Sequence, residues 1–346
     1  MVSLLIQCAE LIRSRTIAPQ FPLHRMNRMP KRPVKSELNT LKKAYISTRG
    51  LMLSGRSEQF LRSRRAKRLG GKIQLIFTSP PFPLNHKKKY GNLTGDAYVD
   101  WFASFAKPFR KLLTRDGSIV IELGNAWEAG KPVMSTLALR ALLAFQERGD
   151  FNLCQQFICY NPARLPSPAQ WVNVERIRVK DSYTHLWWLS PSERPKADNR
   201  RVLKQYSDSM LRLLSSNKYN SGHRPSQHRI GEKSFLKNNN GAIPSNVLIL
   251  SNTNSTDPYL KYCRKEGLPL HPARMPTQLA EFFIKFLTTP RNLVFDPFAG
   301  SNTTGAAAET LKRRWLSVEA ERDYILGSRV RFRATRRGQN DKRRAL

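Results

Sequence analysis

Short apolar runs alternate along this chain with longer amphipathic stretches. Ile73–Thr78, Gly117–Leu123, Phe151–Tyr160, Thr184–Ser190 and Trp315–Val318 each read as a buried strand, as does the run that opens at Leu293. Between them, Asp96–Leu113 carries Tyr98, Phe102, Phe105 and Phe109 at helical spacing, which predicts a helix with an aromatic core face. A second helix is expected over Met134–Glu147 and a third from about Thr304. Trp187 and Trp188, adjacent in one strand, must face opposite sides of the sheet. Strands and helices in alternation predict an α/β fold, a doubly wound, mostly parallel sheet with helices on both faces.

Two of these strands end in residues that can do chemistry. Ile73–Thr78 stops at Ser79-Pro80-Pro81-Phe82, where two prolines fix φ and remove the backbone donors that would continue the ladder. The result is a rigid corner with a hydroxyl on one side and an aromatic ring on the other. A flat heterocycle can stack there on Phe82, while Ser79 and the Pro80 carbonyl accept hydrogen bonds from an amino group. The strand Leu293-Val294-Phe295 runs into Asp296-Pro297-Phe298-Ala299-Gly300-Ser301-Asn302-Thr303-Thr304-Gly305. Small residues followed by a helix N-terminus let a ligand approach the backbone closely. The next strand ends at Glu319, the place where a βαβ nucleoside site holds ribose hydroxyls. G-x-G-x-x-G is incomplete, which disfavours a dinucleotide.

Composition adds a partner. Sixty Lys and Arg against 25 Asp and Glu give a net charge of +35, the electrostatic footprint of a nucleic-acid-binding protein. The four cysteines show no metal-type spacing and none follows a proline; Cys154 and Cys159 are expected in the core. The six histidines form no ligand cluster, and no metal is expected. No apolar run is long enough for a membrane span. Residues 1–40 read as a basic, disordered extension, and Arg62–Arg68 as a solvated basic loop. Residues 191–265 turn rich in Pro, Ser, Asn and basic residues, with Val247–Leu250 as a local anchor.

Together the T-S-P-P-F and D-P-F-A-G-S-N-T-T-G segments resemble motifs IV and I of S-adenosylmethionine-dependent DNA amino-methyltransferases, in the circularly permuted order. A serine opening the Pro-Pro tetrapeptide is the cytosine-N4 pattern. The likeness extends to Lys87–Asn92, Leu165–Val172 and His271–Pro276, and is greatest to the PvuII-type enzymes of restriction–modification systems. It implies a class I methyltransferase fold, Rossmann-like, with Ser79, Pro80, Pro81 and Phe82 catalytic. It implies S-adenosyl-L-methionine held by Asp296, Pro297, Phe298, Gly300, Ser301, Asn302, Thr303 and Glu319, with Pro276 and Thr277 opening a helix at its methionine end. It divides the chain into a catalytic half (41–190), a target-recognition region (191–265), a cofactor half (266–332) and a basic tail (333–346). Candidate DNA contacts are Lys87, Lys88, Lys89, Arg224, Gln227, His228, Lys233 and Asn238, and the loop 165–171 is expected on the DNA side of the cleft. The implied partners are double-stranded DNA and a cognate restriction endonuclease, for a monomer in a prokaryotic cytoplasm. One departure stands out: Arg56 occupies the place of an Asp that faces the cofactor adenine, and a guanidinium cannot accept a hydrogen bond. Adenine-N6 or RNA methylation, and DNA binding without catalysis, are the alternative readings.

Overall fold

The computed structural model describes residues 41–82, 93–216, 221–231, 236–251 and 257–332. The candidates Lys87, Lys88, Lys89 and Lys233, and the expectations for 1–40 and 333–346, lie outside these residues.

Nine strands make one sheet. In chain order they are β1 (Lys42–Ile46), β2 (Gly50–Ser54), β3 (Ile73–Thr78), β4 (Leu113–Gly124), β5 (Asn152–Tyr160), β6 (Tyr183–Ser190), β7 (Val247–Ile249), β8 (Leu293–Asp296) and β9 (Arg314–Glu319). Their spatial order is β1-β2-β9-β8-β3-β4-β6-β5-β7. The run β2-β9-β8-β3-β4 is parallel throughout. β6 runs antiparallel to both of its neighbours, and β1 antiparallel to β2. Because β3 and β8 are parallel neighbours, both loops singled out in the sequence leave the same edge of the sheet, from adjacent positions about 5 Å apart.

Two apolar layers cover the sheet. On one face lie α3 (Gly95–Ala103), α4 (Ala106–Leu112) and α5 (Leu137–Gly149), contributing Phe102, Phe105, Phe109 and Phe145. On the other, α8 (Thr277–Leu287) and α9 (Thr303–Thr310) contribute Leu279, Phe283, Ile284, Ala307 and Ala308. The period-2 rule is obeyed in β6, where Trp187 enters the first layer and Trp188 the second. Cys159 is buried and Cys154 half-buried, consistent with packing roles.

Three local expectations are corrected. The single helix over 96–113 is two, α3 and α4: Pro108 lacks an N–H, so the chain restarts a helix with the proline in its first turn, where no donor is needed. Arg62–Arg68 is not a loop. After α1 (Ser57–Arg62), Ser63 accepts the Ala66 N–H at 3.2 Å and starts α2 (Arg64–Arg68), which buries Ala66. The second expected helix begins three residues later than its pattern suggested, because Met134–Ser135 pairs with Ala126–Trp127. Within 191–265 the described residues hold α6 (Asp208–Ser216), a short hairpin (Gly222–His223 with Arg229–Ile230), β7 and α7 (Pro258–Lys265). Among the described residues no helix is long and apolar enough to cross a membrane.

The β2–β9 contact is tight enough to test. A Cβ at Gly50 would lie 2.2 Å from the Trp315 ring. That ring cannot swing away, since its N–H is bonded to buried Glu309 at 2.7 Å. Gly50→Ala should lower unfolding stability by about 1–3 kcal/mol with an unchanged urea m-value. An unaltered urea midpoint would show that the packing there is loose.

Candidate active site

The two loops are joined at their roots. Thr78, the last residue of β3, donates its hydroxyl to Asp296 Oδ1 at 2.8 Å, and Asp296 is the last residue of β8. The same carboxyl accepts the Phe298 N–H at 3.1 Å and is bonded by Thr304 from the start of α9. Burial pushes the Asp296 carboxyl up to about 6, and these donors pull it back only in part. Asp296 is therefore a clamp that fixes the glycine turn against the proline corner, with its side chain turned into the protein.

The turn itself is shaped by backbone requirements. Gly300 has φ +48, and a Cβ there would come within 2.6 Å of His271 Nε2. His271, on the approach to α8, packs edge-on to Tyr324 at 4.6 Å and is held by a bond from its N–H to the Tyr259 hydroxyl at 3.2 Å. Asn302 takes the left-handed conformation (φ 53), as asparagine can, and accepts the Gly305 N–H at 3.2 Å as the cap of α9. Its amide also receives the Ser317 hydroxyl at 2.8 Å and donates to the Tyr45 hydroxyl at 3.0 Å. Fully buried, that side chain faces the fold, so Asn302 shapes the turn from behind. Ser301 and Thr303 are also buried, their hydroxyls 3.3 Å apart. Ser57 at the start of α1 bonds the Pro297 carbonyl. Phe298 is half-buried, edge-on to Phe105 at 5.4 Å.

Glu319, at the end of β9, closes the far side. Its Oε2 accepts the Gly300 N–H at 2.6 Å, and its Oε1 accepts those of Ala320 and Glu321, each at 2.8 Å. Burial nevertheless raises its carboxyl to about 7. A carboxylate offers roughly four acceptor positions, so one remains for an outside hydroxyl. Gly55, the chain neighbour of exposed Arg56, leans on this strand end through a bond from its N–H to the Glu319 carbonyl at 2.9 Å. Pro276 and Thr277 open α8. A turn with glycine at its apex, flanked by a half-buried acid, fits a nucleoside-bearing cofactor.

Across the shared edge stands the proline corner. Pro80 is buried, while Ser79, Pro81 and Phe82 are half-buried. Phe82 lies over Gly124 at the end of β4, where an added Cβ would meet the ring at 3.2 Å. Ser79 is hydrogen-bonded to Glu122, also from β4. Thr184 of β6 donates to the same carboxyl at 3.1 Å. Burial is the main influence on Glu122 and lifts it to about 7, against the two hydroxyls and the charge of Arg164. Glu122 is the residue that sequence reasoning missed. Its one signal was an acid inside the apolar run Ile119-Val120-Ile121-Glu122-Leu123.

The candidate DNA contacts are dispersed. Arg224, Gln227 and His228 form the tip of the 222–230 hairpin, closed by bonds from Arg224 N to His228 O at 3.0 Å and from Gln227 N to Arg224 O at 2.9 Å. Asn238 sits apart in an exposed turn, its side chain accepting the Asn240 N–H at 2.9 Å.

A sheet of this topology, with a nucleoside-type turn and a polar corner on one edge, defines a class I methyltransferase architecture. Residues 73–328 match the family described as DNA methylase, and the chain belongs to that family. It is 45% identical over 293 residues to the type II methyltransferase M.PvuII of Proteus hauseri, covering 84% of this chain and 86% of that one. It is 23% identical over 257 residues to the type II methyltransferase M.BglII of Bacillus subtilis, covering 73% of this chain and 61% of that one. Among solved structures it resembles the PvuII DNA methyltransferase (cytosine-N4-specific), with a TM-score of 0.68 and 40% identity over 84% of this chain and 89% of that one.

The buried Glu122 has a thermodynamic consequence. Its folded value near 7 lies above the ordinary 4.5, so the folded protein holds this proton more tightly than the unfolded chain. Below about 4.5 the group carries no penalty. Stability is lost as pH rises from there to about 7, while the unfolded state ionises first. Glu122→Gln removes that loss, so the difference in Tm, variant minus parent, should grow across this interval and level off beyond it. A difference independent of pH would contradict the assignment.

Proposed function

We propose that this protein is an S-adenosylmethionine-dependent DNA methyltransferase acting on the exocyclic N4 of a cytosine extruded from the duplex. The reading is carried by the Ser79–Glu122 hydrogen bond, made at the sheet edge that also bears the Asp296–Thr303 turn. It is supported by the relative described as cytosine-N4-specific.

S-adenosyl-L-methionine supplies an electrophilic methyl group on a sulfonium. The residues that would hold it are Gly300 and its neighbours in the turn, Glu319 for the ribose hydroxyls, Phe298 beside the adenine, and Pro276 and Thr277 at the start of α8. Phe82 would stack on the extruded base, a contact worth about 1–3 kcal/mol by comparison with other base–aromatic stacks. That stacking offsets part of the cost of extrusion, about a few kcal/mol. Ser79 donates its proton to Glu122, so its oxygen lone pairs and the Pro80 carbonyl are free to accept from the cytosine amino group. Two such acceptors draw the nitrogen toward a more nucleophilic geometry.

Ser79 alone is too weak a base to take the amino proton. Glu122 completes the path. As the nitrogen takes the methyl group, whose bond to sulfur would break to leave a neutral thioether, the nitrogen becomes cationic, one N–H proton passes to Ser79 Oγ, and the serine proton passes to Glu122. A carboxyl poised near 7 is well matched to that transfer.

The net charge of +35 supplies attachment to phosphates. Residues 191–265 serve as the target-recognition region, with Arg224, Gln227 and His228 on the hairpin tip as readers of base edges. Acting as a monomer, the enzyme would protect a site cut by a cognate restriction endonuclease.

Methyl-labelled cofactor should place its label on N4-methylcytosine when product DNA is digested to nucleosides and weighed by mass spectrometry. Ser79→Ala should lower kcat by about 10²-fold or more while the Kd for DNA moves less than about threefold. Label on adenine, or equal losses of kcat and DNA affinity, would overturn the proposal.

A further inference from the structure

The segment 161–182, between β5 and β6, stands at the same edge and takes no part in the proton path. Its two roots are pinned beside the Ser79–Glu122 pair. Arg164 donates to the Tyr183 carbonyl at 3.2 Å, and Asp181 accepts from Asn125 at 2.8 Å. Two further contacts hold its arms side by side. Lys180 donates to the carbonyls of Pro162 at 3.0 Å and Arg164 at 3.3 Å, and the Asp181 N–H donates to Ser167 O at 3.0 Å.

The far end is equally well tied. The N–H groups of Ile177 and Arg178 both return to the Trp171 carbonyl, at 2.9 and 3.2 Å. The Trp171 ring packs on Trp127 at 5.5 Å, and Arg178 donates to the Pro132 carbonyl at 2.9 Å. Such an excursion is free to turn its apolar side chains inward, yet Leu165 is 80% exposed and Val179 87% exposed, with Val174 at 69%. One exposed aliphatic residue is ordinary. Two on opposite arms of a braced projection, each close to a root and so close to the Ser79–Glu122 edge, with Arg176 and Arg178 exposed farther out, give this side of the cleft apolar projections and a cationic flank. Among macromolecular partners, duplex DNA presents that pattern in reverse: an apolar base stack behind a row of phosphates.

We propose that Leu165 and Val179 form a wedge that enters the base stack beside the target cytosine and occupies the space left by the extruded base, with Arg176 and Arg178 against the flanking phosphates. This rests on the DNA methyltransferase reading above. Apolar side chains inserted at a base step unstack it and bend the helix. Leu165 and Val179 would thereby lose their exposure to water only when the base is out.

The test uses the full-length protein and a synthetic duplex carrying the site mapped by modification-sensitive sequencing of plasmid DNA from an expressing host. In one duplex the target cytosine faces guanine; in the other it faces adenine, a mismatch that lowers the cost of extrusion. The double variant Leu165→Ser/Val179→Ser should keep the parental Tm, because both side chains are exposed. Its single-turnover rate should fall by about tenfold or more on the matched duplex and recover to within about threefold of the parent on the mismatched one. An equal loss on both duplexes, or no loss on either, would overturn the wedge. A plasmid left unmodified by the parent protein would instead overturn the methyltransferase reading, and the wedge with it.

Discussion

The architecture of the cleft depends on one hydrogen bond between neighbouring strand ends. Thr78 on β3 gives its hydroxyl to Asp296 on β8, and everything placed by the two loops inherits that registration. The proline corner cannot drift, because two fixed φ angles follow directly after Thr78. The glycine turn cannot drift either, because the Asp296 carboxyl also gathers Phe298 and Thr304. A bond from hydroxyl to buried carboxyl is strengthened by its dry surroundings and costly to leave half-made. It is a small contact on which the distance between the glycine turn and the proline corner is built.

The electrostatics divide between outside and inside. The surface is so basic that DNA attachment needs little else. The edge of the sheet instead holds three acids, Glu122 and Asp296 buried and Glu319 half-buried, each raised by desolvation to about 6 or 7. Each lies at or within two residues of the end of a strand in the parallel run, and each has its own donors: hydroxyls for Glu122, hydroxyls and an N–H for Asp296, three N–H groups for Glu319. The donors decide the roles. Backbone N–H groups hold Glu319 rigidly as part of the turn. The hydroxyl of Ser79, which can both give and take a proton, makes Glu122 the one of the three hydrogen-bonded to the proline corner.

Much of this was legible because the chain punctuates itself. Pro80-Pro81 and Gly300 mark strand ends by backbone geometry alone, and the apolar runs around them fixed both the sheet and its two faces down to Trp187 and Trp188. The left-handed Asn302 was readable from its residue type, whereas its bonds to Ser317 and Tyr45 come from distant segments and carry no local signal. Glu122 escaped for the same reason. An acid in a strand acquires meaning only when the neighbouring strand brings Ser79 to it. The hairpin at 222–230 was hidden because two-residue strands have no period, and α2 because its start depends on a single cap at Ser63.

A double-mutant cycle on Thr78 and Asp296 tests the central contact most directly. Thr78→Val, Asp296→Asn and the combined variant are compared with the parent by kcat/KM for methyl transfer to DNA. If the hydrogen bond registers the two loops, the losses will be non-additive by about 1–3 kcal/mol, the double variant being little worse than either single one. Losses that add within about 0.3 kcal/mol would show that the loops are positioned independently, and the account of a shared cleft would fail.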